Sequence, residues 1–215
     1  MVEPETFIRA NTRIAAPPLV PEIQLYQATE ITPLWHATET TLERHQLPPP
    51  YWAFPWAGGQ ALARHMLDHP ELVAGLRVLD FGAGSGLVSI AAAKSGATSV
   101  TAAEIDPFAV AAIRLNAALN NVSVTAECRD LIGSVEHPWD IVLVGDMCYE
   151  RPLAERLTEW LKNLARAGVT VLLGDPGRAY LPKEGLHEIA RYTVPTSLEL
   201  EDRTSRETIV SRLVP

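Results

Sequence analysis

The chain of 215 residues has little cysteine and no excess of positive charge. Its two cysteines, Cys128 and Cys148, form no C-x-x-C pair, which excludes a disulfide framework. Lys and Arg total 18 against 26 Asp and Glu, and the net charge of −8 disfavours a basic face that tracks nucleic-acid phosphates. No segment approaches the ~18 uninterrupted apolar residues of a membrane helix. We therefore expect a soluble protein with no nucleic-acid or membrane partner, whose acidity suits a lysine-bearing protein patch.

Signals for a metal site and for a targeting segment are also missing. His65 and His69 share a helix face, but the glutamate of H-E-x-x-H is absent, so a solvated helix is favoured and no metal is predicted. The N-terminus is acidic and lacks a charged-then-apolar signal, which predicts a cytoplasmic location.

The strongest pattern is R-V-L-D-F-G-A-G-S-G at residues 77–86. A short apolar run ends at Asp80 and turns through glycines into an apolar helix over 87–94. Such a turn brings backbone N–H groups and a helix start close to a ligand. The dinucleotide fingerprint places its third glycine where this chain has Leu87, which disfavours a nicotinamide-dependent oxidoreductase.

The form Asp-x-Gly-x-Gly-x-Gly resembles motif I of the class I methyltransferases that use S-adenosylmethionine (SAM). The resemblance implies that the methionine part of SAM packs against this turn. The alternative is a tight strand-to-helix turn without a ligand. The implied cofactor-binding residues are Asp80, Gly82, Ala83, Gly84 and Gly86.

Two acids follow the next predicted strand, residues 99–103. Glu104 lies about 20 residues after the first glycine, where an acid accepts hydrogen bonds from ribose hydroxyls in nucleotide folds. We predict that role for Glu104. Asp106 precedes Pro107 at a helix start and is predicted to be an N-cap in preference to a ligand.

Two further residues, Trp56 and Asp130, are predicted to contact the cofactor. Aromatic residues crowd 51–56, before a Gly58-Gly59 breaker and a helix over 61–67, and they either pack in the core or wall a pocket. Trp56 is the residue we assign to the pocket, since a ring near the sulfonium gains cation–π attraction. Asp130 follows the third strand, 122–126, where class I methyltransferases commonly place an acid by the adenine; capping of a turn is the alternative.

The acceptor side is predicted at the end of the fourth strand, 139–144. Asp146 follows it and is placed to hold an incoming lysine ammonium, with Tyr149 orienting the amine; a helix cap ahead of Pro152 is the alternative for Asp146. The loop Asp-Met-Cys-Tyr lacks the prolines of the Asn/Asp-Pro-Pro-Tyr/Phe loop in nucleic-acid amino methyltransferases. That difference favours an aliphatic amine over a base.

Alternating strands and helices predict an α/β fold, a Rossmann-like seven-stranded class I methyltransferase sheet with an irregular N-terminal extension. The remaining predicted elements are a helix over 151–165, a fifth strand over 169–173, a helix over 184–190 and strands over 192–201 and 207–213. We divide the chain into an extension, 1–50, and a methyltransferase domain, 51–215. The extension is predicted either to select substrate or only to pack.

Several segments together are similar to one family, the electron-transfer-flavoprotein beta-subunit lysine methyltransferases. They are P-E-I-Q-L (21–25), Y-W-A-F-P-W-A-G-G-Q-A-L (51–62), the motif I turn, I-D-P (105–107), G-D-M-C-Y (145–149) and G-D-P-G-R (174–178). The resemblance implies N-methylation of lysines on the flavoprotein beta subunit. It also implies that Asp146 and Tyr149 are the residues that meet the lysine. In the last turn, Asp175 and Arg178 either contact substrate or brace the turn.

The sequence also allows two other functions. Motif I through I-D-P also resembles the ribosomal-protein methyltransferases, so a ribosomal protein is an alternative substrate. A SAM-binding module without catalysis is the other alternative, although an intact Asp146 and Tyr149 disfavour it.

Overall fold

A computed structural model of the chain describes residues 3–28, 49–135 and 137–214. Short 3-10 turns at Tyr51–Ala53 and Pro70–Leu72 precede the main sheet. In chain order the helices and strands are α1 (Pro4–Asn11), β1 (Arg13–Ala15), β2 (Leu25–Gln27), α2 (Ala57–Asp68), β3 (Arg77–Phe81), α3 (Leu87–Lys94), β4 (Ser99–Glu104), α4 (Pro107–Leu119), β5 (Thr125–Cys128), β6 (Ile141–Gly145), α5 (Arg151–Arg166), β7 (Thr170–Asp175), β8 (Leu186–Pro195), α6 (Leu198–Glu201) and β9 (Ser205–Leu213).

The main sheet has seven strands in the order β5-β4-β3-β6-β7-β9-β8. Strands β5 to β7 run parallel, and β9 enters antiparallel between β7 and β8. The predicted α/β fold is therefore confirmed. Because the chain moves from β3 outward in both directions, its strand order reverses there, and the carboxyl ends beside that reversal are where open α/β sheets bind ligands.

Buried strands explain why the sequence forms this sheet. The side chains of β3 and β6 alternate between two apolar layers, so both strands are covered on both faces. Val78 and Ile141 pack with α2 and α3, whereas Leu79 and Val142 pack with α5. Continuous apolar runs are the expected sequence pattern for strands in that position.

The helix predicted over 184–190 is wrong, because this segment belongs to β8, which pairs with β9 along the sheet edge. Glu188 and Arg191 form an i,i+3 ion pair of 2.7 Å, a spacing also found on helices. Here a bulge between Glu188 and Ala190 interrupts the strand that carries them. The strand predicted over 192–201 likewise ends at Pro195 and is followed by α6.

The interpretation of Gly58-Gly59 as a breaker is also wrong, since both residues lie in the first turn of α2. Glycine is needed at Gly58 because α2 crosses the ends of β6 and β7 at very close range. A Cβ on Gly58 would lie 2.6 Å from Asp146 Oδ2 and would clash with the carbonyl oxygen of Gly174. A Cβ on Gly145 would lie 3.0 Å from the Gly59 backbone.

Residues 3–28 pack on α4 and include one helix, α1, that the sequence did not predict. Ile8 is fully buried, and the rings of Phe7 and Phe108 meet edge to face at 5.5 Å. Asn116 of α4 accepts from the Tyr26 N–H at 2.8 Å and donates to the Ser85 carbonyl at 2.8 Å. The chain start is thereby tied to the glycine turn.

Of the extension predicted over 1–50, residues 1–2 and 29–48 lie outside the described residues. Its boundary with the domain at 51–215 stays a prediction. Within the described ranges, no helix combines the length and apolar character needed to cross a membrane.

The close approach of α2 to the strand ends predicts opposite outcomes at adjacent glycines. Gly58→Ala should lower the free energy of unfolding by ~1–3 kcal/mol, because the added methyl has no room. The matched variant Gly59→Ala places its methyl 3.9 Å from Val88 Cγ2 and should leave stability unchanged or slightly raised. Urea denaturation measures both variants, and equal losses of stability would contradict this packing.

Candidate active site

The glycine turn after β3 requires left-handed backbone at alternate positions. Gly82, Gly84 and Gly86 have φ values of 66°, 51° and 78°. Side-chain-bearing residues rarely adopt such angles, which explains the glycine spacing read from the sequence. The Gly82 N–H donates to the Ala103 carbonyl at 3.0 Å, and the Ala83 N–H donates to the same oxygen at 3.3 Å. The turn is therefore fixed against the end of β4.

Asp80 braces this turn from below. It is 1% exposed, and its Oδ2 accepts from the Ser89 N–H at 2.8 Å and from Ser89 Oγ at 2.6 Å. These bonds satisfy a donor in the first turn of α3. Burial raises the pKa of Asp80 to about 7, the Ser89 hydrogen bonds oppose the rise, and the charge of Glu104 adds to it. Asp80 thus positions the turn, and direct SAM contact by its carboxylate stays a prediction.

Glu104 lies at the tip of β4, directly beside the glycine turn. Its Oε1 accepts from the Gly84 N–H at 2.7 Å and its Oε2 accepts from the Ile105 N–H at 3.0 Å. Burial raises the pKa of this carboxyl, and the backbone hydrogen bonds oppose the rise. The neighbouring Asp106 accepts from the Phe108 N–H at 2.8 Å and is the N-cap of α4 that the sequence predicts.

Asp130 lies in the loop after β5 and is engaged with the protein itself. Its Oδ1 accepts from the Ile132 N–H at 2.9 Å, and its Oδ2 pairs with the Arg156 guanidinium of α5 at 3.0 Å. The turn-capping alternative is therefore present in the structure. The side chain is 45% exposed, and an adenine contact by it stays a prediction.

Asp146 follows β6 in a left-handed conformation, φ 57°, that is uncommon for a residue with a side chain. Its Oδ2 accepts from the Gly58 N–H of α2, and its Oδ1 accepts from Arg178 Nε at 2.8 Å. Burial raises its pKa to about 6, and the Arg178 charge opposes the rise. Asp146 is not the cap of α5, whose N-cap is Glu150.

Arg178 lies in the turn after β7 and connects two buried carboxylates. Its guanidinium is 2.7 Å from Asp146 Oδ1 and 2.5 Å from Glu201 Oε1. Asp175 braces this turn, since its Oδ1 accepts from the Gly177 N–H at 2.7 Å and from the Arg178 N–H at 2.6 Å. Sequence reasoning missed Glu201, because only the β8–β9 connection brings it here and no local motif marks it.

Three aromatic rings lie beside this charged cluster. The Trp56 ring lies 5.7 Å from the Arg178 guanidinium carbon and 5.9 Å from the Tyr51 ring. Tyr51 in turn contacts the Tyr149 ring at 5.6 Å. Trp56 therefore lies on the Asp146 side of the site, and its predicted contact with a sulfonium stays a prediction.

Tyr149 also connects the two sides. Burial raises its pKa to about 12, with further contributions from Tyr51, Glu150 and Glu104, so its hydroxyl stays protonated at neutral pH. A Cβ on Gly82 would clash with the side chain of Met147, the neighbour of Asp146. The structure therefore brings the glycine turn, Glu104 and Asp146 to one edge of the sheet.

Comparison with known proteins points to a single enzyme class. A family model described as ribosomal protein L11 methyltransferase (PrmA) matches residues 61–173. The chain is 41% identical over 210 residues to the electron transfer flavoprotein beta subunit lysine methyltransferase of Xenopus laevis, covering 95% of this chain and 82% of that protein. The protein of the same description from Danio rerio is 42% identical over 205 residues, covering 92% and 78%.

Among solved structures, magnesium protoporphyrin IX methyltransferase from Synechocystis, determined with bound SAM, has a similar fold. The TM-score is 0.55 at 19% identity, with 100% of this chain and 99% of that chain covered. At that identity the likeness concerns the fold alone.

The buried Asp80 predicts a specific pH dependence of stability. Its folded-state pKa of about 7 lies above the ordinary 3.8, so the folded chain binds more protons between these values and loses stability as pH rises through them. Asp80→Asn should remove this loss. The unfolding free energy of the wild type relative to Asp80→Asn should therefore fall between pH 4 and 7, by up to ~1.4 kcal/mol per pH unit.

Denaturant titrations at several pH values measure that difference. The control is Asp140→Asn, because Arg77 lowers the pKa of Asp140 to about 2 and this carboxyl stays ionised above pH 4. Its difference from wild type should be nearly constant over the interval, because only the unfolded-state carboxyl titrates there, close to pH 4. A constant difference for Asp80→Asn as well would rule out the raised pKa.

Proposed function

The chain belongs to the family of electron transfer flavoprotein beta subunit lysine methyltransferases, and we propose that it transfers methyl groups from SAM to lysines of that subunit. The observation that carries this proposal is the presence of two carboxylates, Glu104 and Asp146, at the same edge of the sheet. Glu104 lies beside a glycine turn suited to a nucleoside, and Asp146 lies beside an aromatic wall suited to an amine.

The glycine turn and Glu104 can hold SAM because they offer hydrogen-bonding groups and an open approach. A Cβ on Gly84 would find its nearest neighbour at 3.9 Å, so the turn leaves an approach to its backbone. Glu104 is the residue that would hold the ribose hydroxyls, and Gly82, Ala83, Gly84 and Gly86 would line the methionine part. When bound, SAM supplies a methyl group on a sulfonium, which makes the group electrophilic.

The acceptor side fits a lysine amine. Asp146 is ionised at neutral pH because its pKa is about 6, so its carboxylate accepts hydrogen bonds from an ammonium. Gly58 and Arg178 use two of its roughly four lone-pair sites. Tyr149 keeps its hydroxyl proton at neutral pH, so this hydroxyl can donate a hydrogen bond. The ammonium would lose a proton to solvent before its nitrogen bonds to the methyl carbon, and the bond between that carbon and sulfur would break to leave a neutral thioether.

A protein substrate fits the surroundings of this site. Tyr51, Tyr149 and Tyr180 are 39%, 39% and 37% exposed, and the Tyr180 N–H donates to the Cys148 carbonyl at 3.1 Å, which places Tyr180 beside the Asp146 loop. Exposed tyrosines are common at protein interfaces. The net charge of −8 favours a lysine-bearing partner.

The alternatives are less favoured. The match to the ribosomal protein L11 methyltransferase model spans residues 61–173, whereas the flavoprotein-directed relatives match over 92–95% of this chain. A non-catalytic SAM-binding module is less favoured because the relatives that match 92–95% of this chain are described as methyltransferases. The cytoplasmic location stays a prediction.

The direct test is methylation of purified flavoprotein beta subunit produced without lysine methylation. Incubation with radiolabelled SAM and this protein should label lysines of the subunit, located by mass spectrometry. Label on ribosomal protein L11 but not on the flavoprotein would favour the alternative substrate. Absence of label on both, with SAM still bound, would favour the binding module.

Variants at the two carboxylates should separate binding from transfer. Asp146→Asn should retain SAM affinity in calorimetry and lose transfer, because the ammonium loses its charged acceptor. Glu104→Ala should weaken SAM binding by ~1–3 kcal/mol, the magnitude of hydrogen bonds to a charged group. Asp140→Asn, at the opposite end of β6, is the matched control and should change neither. Normal turnover by Asp146→Asn would refute its assigned role.

A further inference from the structure

Asp146 is the first member of a chain of alternating charges that leads away from the substrate side. Arg178 pairs with Asp146 and with Glu201, and Glu201 pairs with Arg206 Nε at 3.2 Å. The exposed fractions of the Asp146, Glu201 and Arg178 side chains are 7%, 2% and 18%. Buried carboxylates are costly unless they are paired and hydrogen-bonded, so Asp146 and Glu201 require the cation that lies between them.

The groups facing Asp146 come from each element around it. Gly58 of α2 contributes only an N–H, and the loop after β6 contributes the neutral Cys148. Negative charge comes from Asp175, the last residue of β7, whereas Arg178 is the cation in direct contact and is paired on its far side with Glu201 of α6. One guanidinium therefore opposes burial and the charge of Asp175.

We propose that Arg178 is a positioning residue of the methyl-transfer site, which keeps the Asp146 carboxylate ionised and aimed toward the substrate amine. This inference rests on the proposed function, since it assigns Arg178 a task in that reaction. Glu201 fixes the far side of the guanidinium, and the Trp56 ring covers it at 5.7 Å. Arg178 then acts through Asp146 and makes no contact with the transferred methyl group.

The geometry explains why an arginine stands at this position. Its planar fork reaches two carboxylates at once, with Nε on Asp146 at 2.8 Å and the terminal nitrogens on Glu201 at 2.5 and 3.1 Å. Asp175 holds the Arg178 backbone by accepting its N–H, so the side chain starts from a fixed point. A lysine keeps the charge but cannot bridge both partners.

The test is a direct titration of Asp146 in the full chain. Carboxyl-carbon NMR of protein labelled at aspartate follows the Asp146 signal, identified by its loss in Asp146→Asn. Arg178→Gln should raise its pKa, by the ~1–3 units that an adjacent arginine is worth to an Asp. Arg178→Lys should restore much of the wild-type value. Arg77→Gln, which removes an arginine paired with Asp140 at the opposite edge of the sheet, should not move the signal.

Glu201→Gln separates this proposal from general disruption of the cluster. It removes a neighbouring negative charge and leaves Arg178 in place, so the Asp146 pKa should stay constant or fall. An upward shift in Glu201→Gln, or no upward shift in Arg178→Gln, would overturn the proposal. If Arg178→Gln fails to fold, the Asp146 pKa in Glu201→Gln and in Arg178→Lys still tests the proposal. A raised Asp146 pKa in both variants would indicate general disruption of the cluster and would contradict a specific role of the Arg178 charge.

The same variants have a kinetic readout. The acid limb of kcat/KM for flavoprotein methylation should move to higher pH in Arg178→Gln, matching the titration, because transfer requires ionised Asp146. A lower rate with an unmoved acid limb would indicate a merely structural role and would contradict the inference. The titration needs no methyl acceptor. An enzyme inactive on the flavoprotein therefore refutes the proposed function, and the NMR result still decides the role of Arg178.

Discussion

The carboxylate of Asp146 is the contact on which the acceptor side of this molecule depends. It accepts an N–H from the first turn of α2 and pairs with Arg178 from the turn after β7, so three segments far apart in sequence meet at one side chain. The approach is close enough to require glycine at Gly58 and Gly174, where a Cβ on either would clash with the other's carbonyl oxygen. Fold and chemistry share this constraint, because the packing that places α2 against the sheet also orients the carboxylate.

Carboxylates that accept backbone N–H groups recur along this edge of the sheet. Acids at or just after the strand ends accept N–H groups from helix starts, as Asp80 does from Ser89 and Asp106 does from Phe108. The N-terminal N–H groups of a helix lack partners within it and lie at the positive end of its dipole, so carboxylates are stabilised there. Carboxylates are thus fixed in place before any ligand arrives. Glu104, which accepts the Gly84 N–H, follows the same logic at a turn.

The parts predictable from sequence were those with short-range causes. The glycine turn, the cap at Asp106 and the buried parallel strands follow from local conformational rules and periodicity, and they locate the nucleotide side. The helix predicted over 184–190 failed because edge pairing with β9 outweighed a helix-like pattern. Glu201 and the helical role of Gly58 were not predictable, since each depends on contacts between elements distant in the chain.

The central claim is that Glu104 and Asp146 hold the two reactants on opposite sides of one space. A crystal structure with S-adenosylhomocysteine and a lysine-containing segment of the flavoprotein beta subunit measures this most directly. The account predicts ribose hydroxyls on Glu104, the lysine nitrogen within hydrogen-bonding distance of Asp146, and the sulfur facing that nitrogen. A lysine nitrogen bound away from Asp146, or a nucleoside bound away from Glu104, would contradict it.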